Sequence, residues 1–595
     1  MQTDLRWSEG GVAYRDLNKN GRMDPYEDAR RTVEERVEDL LGRMTLEEKA
    51  GLLFHAMAPP PGGGFPGLTP TAELVTAKHL SHFNVAGRAA VPARQLAEWQ
   101  NELQRLAEET RLGVPVTLST DPRHGFSHNP GASFAAGSFS QWPEPPGLAA
   151  IGDPELVERF ADAARQEYLA VGIRVALHPM ADLATEPRWG RIIGTFGEDA
   201  ELAAKMVAAY IRGFQGATLG PHSVACMVKH FPGGGPQKDG EDPHFPYGKE
   251  QVYPGGKFEY HLIPFEAAFA AGAAQVMPYY GVPIGVGFEE VAFAFDKAVI
   301  TGLLRGRYGF DGVVCTDWQL LVDRQIGGGL MEARAWGVEQ LDTAGRTQKI
   351  IEAGCDQFGG EQCPEVVVEL VRSRRVSEAR IDASARRLLR DKFRLGLFDD
   401  PYVDPSKADA AVGANKDLAR RTSQESIVLL KNDRLLPFVG RPRLFLENVE
   451  PAVASGYAEV VATPDEADAA LLRLQTPYEP REGFLQQFIH AGTLAFAEAE
   501  QARVVSIARR VPTAVALYLD RAAVVTAIAE AAPALLAEFG ASDAALLDVL
   551  FGRVRPEGKL PFELPSSMAA VERQHPDAPY DSENPLFRFG DGLSY

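Results

Sequence analysis

The chain has 595 residues, 45% of them hydrophobic, and a formal net charge of −20. That length exceeds what one ordinary core serves, so two domains are expected, while the acidic balance excludes a nucleic-acid partner, whose binding needs clustered Lys and Arg to displace counterions. No stretch reaches the roughly 18 consecutive apolar residues of a spanning helix, the longest candidate, 262–277, carrying Glu266, so a soluble protein with no membrane partner is expected.

At the amino end, Met1-Gln-Thr-Asp-Leu-Arg-Trp-Ser has no apolar core and no small-residue cleavage site, so no signal peptide is visible. The compartment stays open between the cytoplasm and export with the signal removed. Residues 16–27 then fit a twelve-residue calcium loop: Asp16, Asn18, Asn20 and Asp24 at positions 1, 3, 5 and 9, Gly21 at 6, Arg22 at 7 and Glu27 at 12. The alternative is an ordinary turn, since Asn-Gly and Asp-Pro pairs also make turns and no second loop pairs with this one. A structural Ca2+ is the expectation.

From about residue 33 to 400, helix-period stretches alternate with short β-branched runs at 114–118, 173–177, 223–228, 274–277 and 312–315. That rhythm belongs to a parallel sheet wrapped by helices. Gly-containing turns precede several runs and polar residues follow each, as expected if the carboxyl ends of barrel strands carry a site. The Pro-, Asp- and Gly-rich stretch 395–405 reads as a linker. Beyond it, runs at 443–446, 469–474, 513–518 and 532–539 predict a smaller unit. The fold class expected is therefore α/β: a (β/α)8 TIM-type barrel with an N-terminal extension over 1–400, followed by a smaller α/β sandwich domain over 401–595.

Cys226 and Cys315 sit in apolar strand-like runs, and with Cys355 and Cys363 they form neither a metal set nor a disulfide framework. Gly233-Gly-Gly235 lacks the Gly-Lys-Ser/Thr ending of a phosphate cradle. The informative residues are acids at strand ends. Asp317 closes the run Val313-Val-Cys-Thr316 and is followed by Trp318; Asp121 closes Val116-Thr-Leu-Ser-Thr120. A carboxylate beside an indole on a barrel's top face suits attack on an anomeric carbon with the ring as a sugar platform. The competing reading of Asp317 is a helix N-cap.

Pro187-Arg-Trp-Gly-Arg191, Phe196-Gly-Glu-Asp199, Val228-Lys-His-Phe-Pro-Gly-Gly-Gly235 and Thr316-Asp-Trp318, in this order, resemble the marks of glycoside hydrolase family 3. Ser423-Gln-Glu-Ser-Ile-Val-Leu-Leu-Lys-Asn432 and Phe589-Gly-Asp-Gly-Leu-Ser-Tyr595 resemble that family's second domain, so the likeness spans about residues 30 to 595. It implies a retaining, exo-acting β-glycosidase, with Asp317 as nucleophile and Asp121, Arg191, Lys229 and His230 as ligands of the terminal sugar. Tyr280 matches a tyrosine close to the nucleophile. Relatives often carry an acid three residues after Arg191, where this chain has Gly194, which weakens the expected support of the arginine.

In the family the acid/base comes from a variable loop of the second domain. Here the loop 475–483 offers Glu479, favoured because some relatives place their acid shortly after a Pro-Tyr pair, and Glu482 as runner-up. Both could instead be solvated charges with Arg481 as partner. Asp242 with His244 is a third option, since the family's β-N-acetylglucosaminidase branch uses an Asp/His pair after the Lys-His motif, although the spacing differs. The expected reaction is removal of terminal β-linked glucose from a β-linked oligosaccharide or an aryl or alkyl β-glycoside, with no catalytic cofactor. β-Xylosidase, β-N-acetylglucosaminidase and transglycosylase are alternatives on the same scaffold. A sugar-binding protein on a degenerate hydrolase is the rival from another class, and Asp317 speaks against it. Linkage preference stays open, because aglycone subsites lie on loops and, if the protein is a homo-oligomer, on a neighbouring chain.

Overall fold

The structure, a computed structural model, describes residues 5–8, 10–63, 69–85, 91–129, 133–326, 329–483 and 485–595. Eight parallel strands close into a barrel: β1 (Phe54–Ala58), β2 (His82–Val85), β3 (Thr117–Thr120), β4 (Ile173–Ala176), β5 (Ala225–Phe231), β6 (Gln275–Pro278), β7 (Val313–Trp318) and β8 (Gln357–Gly359), with β8 pairing back to β1. The five β-branched runs read from the sequence correspond to β3 through β7. The other three strands carry a weak signal for a physical reason. β1 reads Phe-His-Ala-Met-Ala, β2 reads His-Phe-Asn-Val and β8 is three residues long, so polar or small side chains fill the barrel interior where β-branched residues are usual.

Local chemistry sets where the helices begin. Val33–Arg43 and Leu46–Leu52 each start from a capping box, Thr32 with Glu35 and Thr45 with Glu48, which satisfies backbone donors at both ends of the box. The stretch 395–405 is strapped to the barrel and does not behave as a loose tether. Leu395, Leu397 and Phe398 are buried, Arg174 Nη2 donates to Leu395 O at 2.7 Å, and Gln100 Nε2 donates to Pro401 O at 2.8 Å.

The second unit is a six-stranded sheet of β9 (Val428–Asn432), β10 (Arg443–Glu447), β11 (Glu459–Val461), β12 (Ala469–Gln475), β13 (Thr513–Tyr518) and β14 (Ala534–Glu538). Its order is β9-β14-β13-β12-β10-β11, with β9 antiparallel and the rest parallel. Alternation splits its apolar residues between two layers. Leu429, Leu471, Ala516 and Leu536 face a cluster shared with helix Asp543–Leu550. Val428, Leu472, Val515 and Leu535 join the core continuous with the barrel.

The family-like motifs lie largely where this unit meets the barrel. Glu198 of Phe-Gly-Glu-Asp accepts from the backbone N–H groups of Glu563 and Tyr580 at 2.7 and 2.9 Å. A Cβ on Gly190 would approach His490 O to 2.2 Å, and one on Gly197, at φ +94°, would approach Pro561 O equally closely. Both glycines are needed because backbone from the second unit presses against them. Arg521, fully buried, donates to Arg188 O at 2.8 Å and to Pro477 O at 2.6 Å.

Candidate active site

The barrel top brings together residues that are far apart in the sequence. Asp121, just past β3, accepts from Lys229 Nζ at 2.7 Å and from Asn84 Nδ2, on β2, at 3.3 Å. Lys229 and the adjacent His230 ride on β5. His230 Nε2 lies 3.0 Å from Arg191 Nη1, while its Nδ1 lies 2.8 Å from Asp182 Oδ2. Asp317, at the end of β7, is buried; its Oδ1 accepts from the Trp318 N–H at 2.8 Å, and its Oδ2 has no hydrogen-bond partner among the described residues. His230 Nε2 stands 3.8 Å from that free oxygen. Tyr280 donates to Trp318 O at 2.7 Å, so its hydroxyl sits on the peptide next to Asp317.

The electrostatics assign the His230 proton. Burial, with Arg191 and Lys229 nearby, holds the His230 pKa well below its ordinary value, so the ring is neutral. The proton is on Nδ1, donated to Asp182, leaving Nε2 to accept from Arg191. The proximity of His230 to Asp317 is therefore not an ion pair. Burial disfavours the Arg191 charge, but Tyr279, Asp242, Asp317 and Asp182 outweigh it and hold the guanidinium protonated. Asp182 has its pKa pushed up to about 6, chiefly by burial, against hydrogen bonds from the His230 and Gly234 N–H groups. It is an acid in the apolar stretch Met180-Ala-Asp-Leu-Ala184 beyond β4, with no other sequence signal, and it orients His230.

The acid/base candidates occupy different settings. Glu479 lies in the exposed loop after β12, outside the hydrogen-bonded cluster, and its carboxylate accepts from Thr493 N at 3.1 Å. Glu482 is exposed. Arg481, considered as their partner, instead grips Glu241 of the barrel at 2.5 and 2.6 Å, which fixes the loop across the domain boundary. Asp242 and His244 form a buried pair at 2.6 Å. Trp189 Nε1 donates to the other Asp242 oxygen at 3.0 Å, and the His244 ring meets Tyr280 edge-on at 4.8 Å. Burial lowers the His244 pKa despite Asp242, and His244 with Arg191 lowers that of Asp242 despite its burial, giving a carboxylate beside a neutral imidazole.

The 16–27 loop is closed by its own hydrogen bonds. Asp16 accepts from the N–H groups of Asn20 and Gly21, both at 3.0 Å. Asn18 and Asn20 amides donate to Asp24 at 2.6 and 2.5 Å, and Arg22 and Arg43 flank Asp24 at 3.5 and 3.1 Å. Glu27 accepts from the Leu17 and Asp24 N–H groups at 2.7 and 2.9 Å. Among the described residues no group of three or more His, Cys, Asp or Glu side chains is arranged to hold a metal, and no helix is long and apolar enough to cross a membrane.

Residues 45–390 match the model of the glycosyl hydrolase family 3 N terminal domain, and residues 444–595 that of the family's C-terminal domain. The chain belongs to glycosyl hydrolase family 3. It is 52% identical over 579 residues to beta-glucosidase C of Emericella nidulans, covering 96% of this chain and 94% of the relative. A periplasmic beta-glucosidase/beta-xylosidase of Dickeya chrysanthemi is 43% identical over 615 residues, covering 98% and 94%. The solved structure of a β-glucosidase from Erythrobacter marinus superposes with a TM-score of 0.78 at 22% identity, over 96% of this chain and 84% of that one, a likeness of fold. The protein is thus a glycoside hydrolase on the family's barrel and second domain.

Proposed function

We propose that the protein is a retaining, exo-acting β-glucosidase that removes terminal β-linked glucose through a covalent intermediate on Asp317. The observation that carries this reading is the buried Asp317 carboxylate, with one oxygen held by the Trp318 N–H and the other without a partner among the described residues. Such an oxygen is available to an anomeric carbon. Arg191, Lys229, His230 and Asp121 supply the donors and acceptors that a pyranose requires, and Trp318 and Tyr280 flank the nucleophile. Relatives named as β-glucosidases at 43 and 52% identity support glucose as the sugar.

Glu479 is the proposed acid/base: protonating the departing oxygen in the first step and deprotonating water in the second. It would need to leave Thr493 and turn toward the barrel. The Asp242–His244 pair is the second reading, favoured by its burial beside Tyr280, one residue removed from the Asp317 strand end.

The family chemistry needs no metal. For the 16–27 loop we propose a structural calcium, supported by the twelve-residue pattern and by positive φ at Lys19 and Gly21, 58° and 81°. Binding would require the Asn18 and Asn20 amides to turn their oxygens inward.

The test is a panel of 4-nitrophenyl glycosides. The β-glucoside is expected to react faster than the α-glucoside and the N-acetyl-β-glucosaminide, with the β-xyloside included because the Dickeya relative bears both names. Preference for the N-acetyl sugar contradicts the reading.

A further inference from the structure

A cavity of about 380 Å³ opens between the barrel top and the second domain. Arg191 and Lys229 line it and also touch His230 and Asp121, so they form a wall shared with the candidate catalytic cluster. Asp317, Tyr280 and Trp318 are not among its lining residues. The cavity is therefore a side chamber, with exposed Gln475 and half-buried Asn129 among its lining residues. Its volume falls in the range of small-molecule sites, roughly 300–1,000 Å³.

Three of its lining side chains carry buried polar atoms without a hydrogen bond among the described residues; one, His124 Nε2, stands 3.4 Å from Glu167, and the other two belong to Arg191 and Asp520. Arg191 is 3% exposed and its Nε has no partner; Asp520 is 9% exposed, its Oδ2 pairs with His490 Nδ1, and its Oδ1 has none. Arg191 thus lacks an acceptor and Asp520 a donor. A hydroxylated ring meets both needs, since each hydroxyl donates and accepts. Phe126, Phe160, Tyr168 and Phe488 supply the apolar surface on which the C–H face of a sugar packs. Gly194 and Met180 both line the chamber, and a Cβ on Gly194 would come within 2.4 Å of Met180 Sδ, so the glycine is what lets Met180 pack into this wall.

We propose that this chamber binds a pyranose unit, in addition to the sugar held before Asp317. The proposal rests on the hydrolase reading above. The unit comes from one of two sources, a free monosaccharide or a sugar attached to the non-reducing side of the one held before Asp317, which then leaves as part of a disaccharide.

The experiment has one arm for each source. In the first, the enzyme is trapped with 2-deoxy-2-fluoro-β-D-glucosyl fluoride, occupancy is checked by intact mass, and D-glucose is titrated calorimetrically. In the second, 4-nitrophenyl β-glycosides of glucose disaccharides are assayed for release of intact disaccharide. Each arm is run with the parent, with Gly194→Met, whose Cβ must displace Met180 and so crowds the chamber wall, and with Asp520→Asn, which removes the charged acceptor. Glucose binding to the trapped parent, at least tenfold weaker in both variants, supports a free-sugar site. Disaccharide release by the parent, at least tenfold reduced in Gly194→Met while 4-nitrophenyl β-glucoside is still hydrolysed, supports the attached unit.

Absence of both signals in the parent, or signals unchanged in both variants, overturns the proposal and leaves water as the partner of Arg191 and Asp520. If no fluorosugar adduct forms, the reading of a covalent intermediate on Asp317 fails instead. The glucose titration of untrapped parent and variants then decides the chamber by the same tenfold criterion.

Discussion

Asp182→Asn preserves the size of a side chain that touches no substrate and removes only its charge. In the parent, the carboxylate accepts from His230 N at 3.1 Å, from His230 Nδ1 at 2.8 Å and from Gly234 N at 2.5 Å. An amide has one acceptor oxygen for these donors. If its NH2 group faces His230 Nδ1, the ring proton moves to Nε2, where it meets the Arg191 Nη1–H donor 3.0 Å away. Losing a hydrogen bond to a charged group costs about 1.5–3 kcal/mol and a buried unpaired donor about 1–3 kcal/mol. A loss of about 2–4 kcal/mol expressed in the transition state lowers kcat/KM by about 30- to 1,000-fold.

The assay is kcat/KM for 4-nitrophenyl β-glucoside across pH, with a melting curve as a control for folding. Because the Asp182 pKa is raised to about 6, protonation below that value removes an acceptor from His230, and parent activity is expected to fall on an acid limb near pH 6. Asp182→Asn should be slow throughout and lack that limb, a change that a purely structural role would not produce. Activity within threefold of the parent with the acid limb intact refutes the assignment.

Two further outcomes follow from the same geometry. Glu479→Ala should still release dinitrophenol, a leaving group that needs little protonation, yet lose most activity on disaccharides; added azide should restore turnover and give the β-glycosyl azide. Disaccharide cleavage at the parent rate with no azide effect passes the role to Glu482 and then to Asp242 with His244. For the 16–27 loop, calcium at about a hundredfold excess over its Kd should stabilise the fold by roughly 2.7 kcal/mol, raising Tm reversibly to chelator with little change in rate at low temperature. Identical melting of the parent and of Asp16→Ala with Glu27→Ala, with and without chelator, eliminates the site.

The β-branched strands were legible because they obey the usual barrel composition, whereas β1, β2 and β8 hide their period behind His55, His82, Asn84 and Gln357. Strand-end acids could be seen because an apolar run that delivers a charge demands a reason, and Asp121 and Asp317 both lie at the barrel top. The support behind them was not legible. Asp182 reaches His230 across 48 residues, and only the folded chain reveals which acid meets which imidazole. The loop 475–483 illustrates the other limit. Sequence identified its carboxylates, but the partner of Arg481 is Glu241, 240 positions away, a pairing that no local pattern encodes.

The central claim is that Asp317 forms the covalent bond to the sugar. Incubation with 2-deoxy-2-fluoro-β-D-glucosyl fluoride, followed by digestion and peptide mass spectrometry, tests it most directly. The slow second step lets the adduct accumulate, and one fluoroglucosyl group is expected on the peptide containing Thr316-Asp317-Trp318, with inactivation matching labelling one to one. An adduct on another carboxylate, or hydrolysis that continues in Asp317→Ala at the parent rate, contradicts the account.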